Sequence, residues 1–152
     1  MGKTIEQRFA VRAFLINKSR ERKDNILIMR RCGGSDSGLW DVPGGIVSVG
    51  ENPYTSLRKW MKEETGLANI GIGPPFELGE KSFSVGGVEY QIIDNYFKCF
   101  TIFDVEELSG EYDSHEWINP TRFDAFDFVG GRRGALNNVF ESYLENRARA
   151  KS

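Results

Sequence analysis

The chain has 152 residues, 39% of them hydrophobic and 28% charged, which suits one domain spanning 1–152 and leaves no room for two of ordinary size. With 20 Lys and Arg against 22 Asp and Glu the formal charge is -2, so no broad positive field draws the protein onto duplex nucleic acid. No apolar run approaches the roughly 20 residues needed to cross a bilayer, and the polar start MGKTIEQR lacks a secretory signal, so a soluble, cytoplasmic protein without a membrane partner is expected.

From Phe9 to Ile16 the run FAVRAFLI is rich in strand formers, and after the charged stretch Asn17 to Asp24 a second run, NILIMRR, has the same character. These predict paired strands. The second run ends on Arg30 and Arg31, which face the next loop and could meet phosphates; solvated strand-end arginines are the equal alternative. Cys32 to Gly50 is dense in glycine and turn residues, as a functional loop closely approached by a ligand would be, or a plain connector. Cys32 and Cys99, with His115 the sole histidine, make neither a disulfide framework nor a zinc site and are expected to be reduced.

Asn52 is a good cap, Pro53 suits the first helical position, and Tyr54, Leu57 and Met61 recur at helical spacing, so a helix from Pro53 to Thr65 follows, ended by Gly66. Phe76 to Val85 and Glu89 to Phe103 predict two further strands about a Gly86-Gly87 hairpin, and the sheet should be mixed. A polar loop, Asp104 to Ser114, leads to a short apolar piece around Trp117 and Ile118, broken by Asn119-Pro120. A last helix, Gly134 to Arg147, carries Leu136, Val139, Phe140, Tyr143 and Leu144 on one stripe, and the end NRARAKS should fray.

Glu63 and Glu64 occupy the last turn of the first helix, where the macrodipole makes each carboxylate unfavourable by about 0.3 to 1 kcal/mol. A hard cation such as Mg2+ or Mn2+ would offset that cost. Taken alone, the pair is more simply a solvated helix end relieved by Lys59 and Lys62.

The spacing around the pair changes that balance. From Gly45 the sequence reads GIVSVGENPYTSLRKWMKEETGL, preceded by GLWDVPG, and it resembles the Nudix hydrolases, the MutT-like superfamily, whose box runs G-x5-E-x7-R-E-U-x-E-E-x-G-U with U a bulky apolar residue. Gly45, Glu51, Met61, Glu63, Glu64, Gly66 and Leu67 fall on its fixed positions, and Trp40, Pro43, Gly44 and Gly45 match the approach. Two positions depart from it. Lys59 replaces the box arginine and lacks its planar fork, and Trp60 replaces a glutamate and cannot ligate a metal. Trp60 is expected to pack over the pocket or stack on a substrate.

The resemblance implies an α/β fold, an α/β/α sandwich around a mixed sheet, and hydrolysis of a diphosphate linkage in a nucleoside diphosphate derivative with Mg2+ or Mn2+. It implies Gly44, Glu63, Glu64 and Glu111 as metal ligands, Glu111 standing six residues before Trp117 as a third ligand or a base, with Tyr112 where the family often has histidine. Glu64, Glu111 and Lys59 form the expected catalytic set, Lys59 by an ion pair with Glu51, and Arg30, Arg31 and Trp60 the substrate-binding set. The partner is a small nucleotide or diphosphate, and the oligomeric state is open, a homodimer being compatible. The rival expectations are a nucleotide-binding module weakened by Trp60 and Lys59, and an enzyme acting on a non-nucleotide diphosphate.

Overall fold

The structure, a computed structural model, describes residues 4–138 and Glu141. The elements run β1 (Ile5–Asn17), β2 (Ile26–Arg31), β3 (Trp40–Asp41), β4 (Gly44–Ile46), α1 (Pro53–Thr65), β5 (Gly71–Val85), β6 (Val88–Thr101), β7 (Tyr112–Ile118) and a 3-10 helix (Pro120–Ala125). Residues 132–138 are again helical. Among the described residues the strands form one sheet in the order β3-β2-β1-β6-β5, with β4 paired to β1 and β7 to β2. It is mixed as expected: β1 runs parallel to β6 from Ile5↔Glu89 to Asn17↔Thr101, and the other pairs are antiparallel.

Strand alternation sends each apolar run to both faces of the sheet. Val11, Ala13, Leu15, Leu27 and Met29 meet Leu57 and Met61 of α1 on one face. Phe14, Ile16, Ile26 and Ile28 meet Phe123, Ala135 and Leu136 on the other. Helices on both faces make this the α/β/α sandwich, and each fully buried Leu, Ile or Phe adds about 1.5 to 3 kcal/mol of burial. The ends of α1 obey local chemistry. The Asn52 side-chain oxygen accepts from the N–H groups of Tyr54 and Thr55, and Gly66 closes the helix at φ 77°.

Several elements differ in extent from the sequence reading, each because pairing overrides composition. β1 begins at Ile5, ahead of its apolar run, because β6 supplies a ladder for it beyond the core. β5 begins at Gly71 despite Pro74-Pro75, which an edge strand tolerates at register shifts around Pro75. β7 starts at Tyr112, inside the stretch read as loop, because Arg31 pairs with Tyr112 across the β2 ladder. Asn119 does more than break the chain: its side chain caps the 3-10 helix by accepting from Thr121 N–H. The last helix starts earlier than Gly134, and its stripe residues Val139, Phe140, Tyr143 and Leu144 lie outside the described residues. Both cysteines are free thiols, and burial pushes that of Cys99 up to about 12. No described helix is long and apolar enough to cross a membrane.

Candidate active site

Helical periodicity separates the acidic pair. Leu57, Met61 and Glu64 fall at i, i+4 and i+7, so Glu64 is drawn inward with the apolar stripe while Glu63 stays exposed. Glu64 is 3% exposed. A buried carboxyl needs donors, and two meet it: Gly44 N–H donates to Oε1 at 2.7 Å and the Tyr112 hydroxyl donates to Oε2 at 2.5 Å. Burial outweighs both bonds and raises the carboxyl from 4.5 to about 7. Burial and the nearby Glu64 also push the Tyr112 phenol up, so it stays protonated and continues to donate.

The bond from Gly44 requires glycine. At φ 150° a Cβ on Gly44 would lie 2.0 Å from the Val11 carbonyl oxygen, which belongs to the β1 backbone and cannot swing aside. At Gly45 the obstacle is a side chain instead, since a Cβ would lie 2.2 Å from Trp60 Cε2. Trp60 is half-buried against this glycine and its Nε1 donates to the Ile46 carbonyl at 3.0 Å. An indole therefore braces the β4 segment against α1. Lys59 is exposed, and no ion pair joins it to Glu51 among the described residues.

Arg31 enters the site from the end of β2. Its Nε donates to Asp41 Oδ2 at 2.8 Å, its Nη2 is ion-paired with the same oxygen at 2.8 Å, and its guanidinium lies 5.1 Å from the Tyr112 ring centroid. That leaves Nη1 turned to the rim, where it is 3.9 Å from Glu111 Oε2. The Glu111 side chain is 66% exposed. Arg30, one residue earlier, turns elsewhere: Nε donates to Asp113 at 2.8 Å and the guanidinium lies over Trp40. The fold thus gathers Arg31, Gly44 and Glu64 around Tyr112, puts Glu111 at their edge, and leaves Arg30, Lys59 and Glu63 on outward surfaces.

Behind Arg31 lies a buried set of charges that the sequence reading did not single out. Asp41 Oδ1 accepts from Arg132 Nε at 2.6 Å, Arg132 Nη1 donates to Asp94 Oδ2 at 2.9 Å and to the Tyr96 hydroxyl at 3.0 Å, and Arg12 Nε donates to Asp94 Oδ1 at 3.2 Å. Burial alone would raise the Asp41 carboxyl, but Arg132, Arg12 and Arg31 outweigh it and hold it below its ordinary value. A signal for this set was present in the chain. Arg12, Asp41 and Asp94 each interrupt an apolar run, and a charge there has to be buried with a partner.

Carboxylates such as those of Glu63 and Glu64 and a glycine carbonyl such as that of Gly44 are oxygen donors of the kind a hard divalent cation takes. They are not gathered into a closed set: among the described residues no group of three or more His, Cys, Asp and Glu side chains comes together to hold a metal ion. Each Glu64 oxygen has a second lone pair beyond the one its internal donor uses, so the bonds from Gly44 and Tyr112 leave it able to ligate. A separate cavity of about 630 Å3 opens at the other end of α1, lined by Phe9, Val11, Val47, Tyr54, Asn95 and Phe97 among others. Its wall includes none of Arg31, Gly44, Glu63, Glu64 or Tyr112.

Comparison with known proteins agrees with the fold. The family model of the NUDIX domain matches residues 6–138. A MutT-like protein of Streptomyces ambofaciens is 28% identical over 95 residues, covering 62% of this chain and 55% of that protein. Nudix hydrolase 10 of Arabidopsis thaliana is 28% identical over 116 residues, covering 73% of this chain and 37% of that protein. The chain therefore spans about half or less of the length of these curated relatives. Among solved structures, a MutT protein from Methanosarcina mazei Go1 superposes with a TM-score of 0.72 at 21% identity, covering 94% of this chain and 99% of that one, a likeness of fold.

Proposed function

The chain belongs to the NUDIX domain family, and from that premise we propose that it is a divalent-metal-dependent hydrolase of a diphosphate linkage in a nucleoside diphosphate derivative, releasing a nucleoside monophosphate or a related phosphate. The observation that carries the reading is the junction of Gly44, Glu64 and Tyr112. Three distant segments spend a strained glycine, a buried carboxyl and a phenol on one small volume, an arrangement that a purely structural helix end does not call for.

Glu63 and Glu64, with the Gly44 carbonyl and Glu111 at the rim, would hold Mg2+ or Mn2+. When bound, such an ion neutralises phosphoryl oxygens and lowers the pKa of a water. Arg31 has the part of an anchor, because Asp41 fixes two of its nitrogens and leaves Nη1 for a phosphoryl oxygen. Glu64 and Glu111 are the candidate bases. Lys59 would act through its charge alone, and Trp60 through the loop it braces.

The test is a panel of nucleoside diphosphate derivatives and non-nucleotide diphosphates, assayed with and without Mg2+ and Mn2+ for the phosphate product. Metal-dependent turnover is expected, and the Glu63→Gln/Glu64→Gln double variant should lose Mn2+ binding in calorimetry. Unchanged Mn2+ binding in that variant would remove the metal assignment. A second reading, a binding module that retains nucleotides without efficient turnover, is favoured by Trp60 standing where the family aims a carboxylate. Tight binding across the panel with no product under any metal condition would select it.

A further inference from the structure

Arg12 sits within the apolar run of β1, and the groups around it do not use all of its donors. It is 8% exposed, and of its donors Nε alone is used, on Asp94 Oδ1 at 3.2 Å. Nη1 is buried with no acceptor, and Nη2 makes no hydrogen bond among the described residues. A buried donor left unmade costs more than an ordinary hydrogen bond returns.

Asp94 does not depend on Arg12. Its other oxygen already receives Arg132, which is fixed in turn by Asp41. The other buried carboxyls nearby are already taken: Asp41 is shared by Arg31 and Arg132, and Glu64 receives Gly44 and Tyr112, so neither accepts from Arg12. Arg12 is also next to the site. It pairs with Gly44 across the β1–β4 ladder, and its Cδ is 3.0 Å from where a Gly44 Cβ would be. The glycine that meets Glu64 through its N–H is thus also the residue that makes room for the arginine stem.

We propose that Arg12 is a substrate-binding residue whose unused Nη2 donor takes an anionic oxygen of the diphosphate beside Gly44. This rests on the hydrolase reading and adds to it a cation that receives a phosphoryl oxygen from the β1 side. Nη1 is enclosed, so the approach is to Nη2, and 10% of the side chain's surface remains open.

The probe is inorganic pyrophosphate, titrated calorimetrically into the full chain in metal-free buffer. Arg12→Met keeps much of the stem and leaves Asp94 paired with Arg132, so the variant should fold, and its melting temperature is measured beside the affinity. Its affinity for pyrophosphate should fall roughly ten- to hundredfold, the scale of lost charge-assisted hydrogen bonds. No binding to wild type, or equal binding to a folded Arg12→Met, overturns the proposal. Should Arg12→Met fail to fold, Arg12→Lys decides, because it keeps the charge without the Nη2 donor. Unchanged affinity there overturns the proposal, and a drop of about tenfold with unchanged melting supports it. The two readings fail separately. Pyrophosphate held through Arg12 with no turnover of any diphosphate removes the hydrolase and leaves the anion site, whereas turnover with a KM unaffected by Arg12→Met removes the anion site and leaves the hydrolase.

Discussion

Glu63 and Glu64 are neighbours in the chain and end in different media, because one turn of helix carries Glu64 under the β4 segment and leaves Glu63 in solvent. The consequence for Glu64 is a pH-dependent stability. Its carboxyl goes from an ordinary 4.5 to about 7 on burial, so the folded state holds a proton that the unfolded state releases. The associated stability is fully present below about 4.5 and is lost as pH rises through about 7. The total is at most on the order of 3 kcal/mol. Denaturant unfolding at pH 5 and pH 8 should show wild type losing more stability over that interval than Glu64→Gln, whose amide carries no proton to release. Equal losses would mean that Glu64 titrates as an ordinary carboxyl. Asp41 works in the opposite sense at lower pH, since its carboxyl is held down, and comparison within the pH 5 to 8 window keeps the two apart.

At the scale of elements, the join between β4 and α1 is built on two glycines with different obstacles. A Cβ at Gly44 meets backbone, and a Cβ at Gly45 meets an indole that can rotate away. Gly44→Ala should therefore cost about 3 kcal/mol or more, through forced backbone movement at a positive φ. Gly45→Ala should cost less, about 1 to 3 kcal/mol, as Trp60 gives up its packing and its bond to Ile46. In a Trp60→Ala background the Gly45→Ala penalty should nearly vanish while that of Gly44→Ala remains. Thermal melts of the set test this, and equal penalties at the two glycines, or strict additivity of Gly45→Ala with Trp60→Ala, would show that Trp60 is not the brace. The helix itself was readable in advance from Asn52, Pro53 and Gly66, because capping acts within a few residues. The start of β7 was not, because Tyr-Asp-Ser-His is polar and only its ladder with β2 makes it a strand.

Across the whole molecule, the buried charges connect Arg12 of β1, Arg31 of β2, Asp41 of β3, Asp94 of β6 and Arg132 at the head of the last helical segment. Such a network adds little net stability as a unit, yet removing one partner strands the others in a medium that cannot solvate them. Asp41 is the member shared by two arginines. Asp41→Ala should lose about 3 to 5 kcal/mol in denaturant unfolding, and Asp41→Met no less, since neither restores a counter-charge for Arg31 and Arg132. A variant as stable as wild type would mean that Arg31 and Arg132 find water once Asp41 is gone, and the network would then have no part in holding the last helical segment to the sheet.

The sequence by itself determined the local architecture and the family: the apolar runs of β1 and β2, the bounds of α1, the Gly86-Gly87 hairpin, and the box spacing that brings Glu63 and Glu64 to the end of the helix beside a glycine loop. These depend on alternation, capping and neighbours one turn apart, all of which are written in short stretches of chain. What only the tertiary structure decided is which donors meet the buried carboxyl and which charges meet one another. Tyr112 reaches Glu64 from 48 residues away, Arg132 reaches Asp41 from 91, and Arg12 is left with two unused donors. An arginine or aspartate inside an apolar run announces that it will be buried. Its partner is set by strand order and register, because a buried charge is satisfied only by whatever group the finished sheet places within about 3 Å of it.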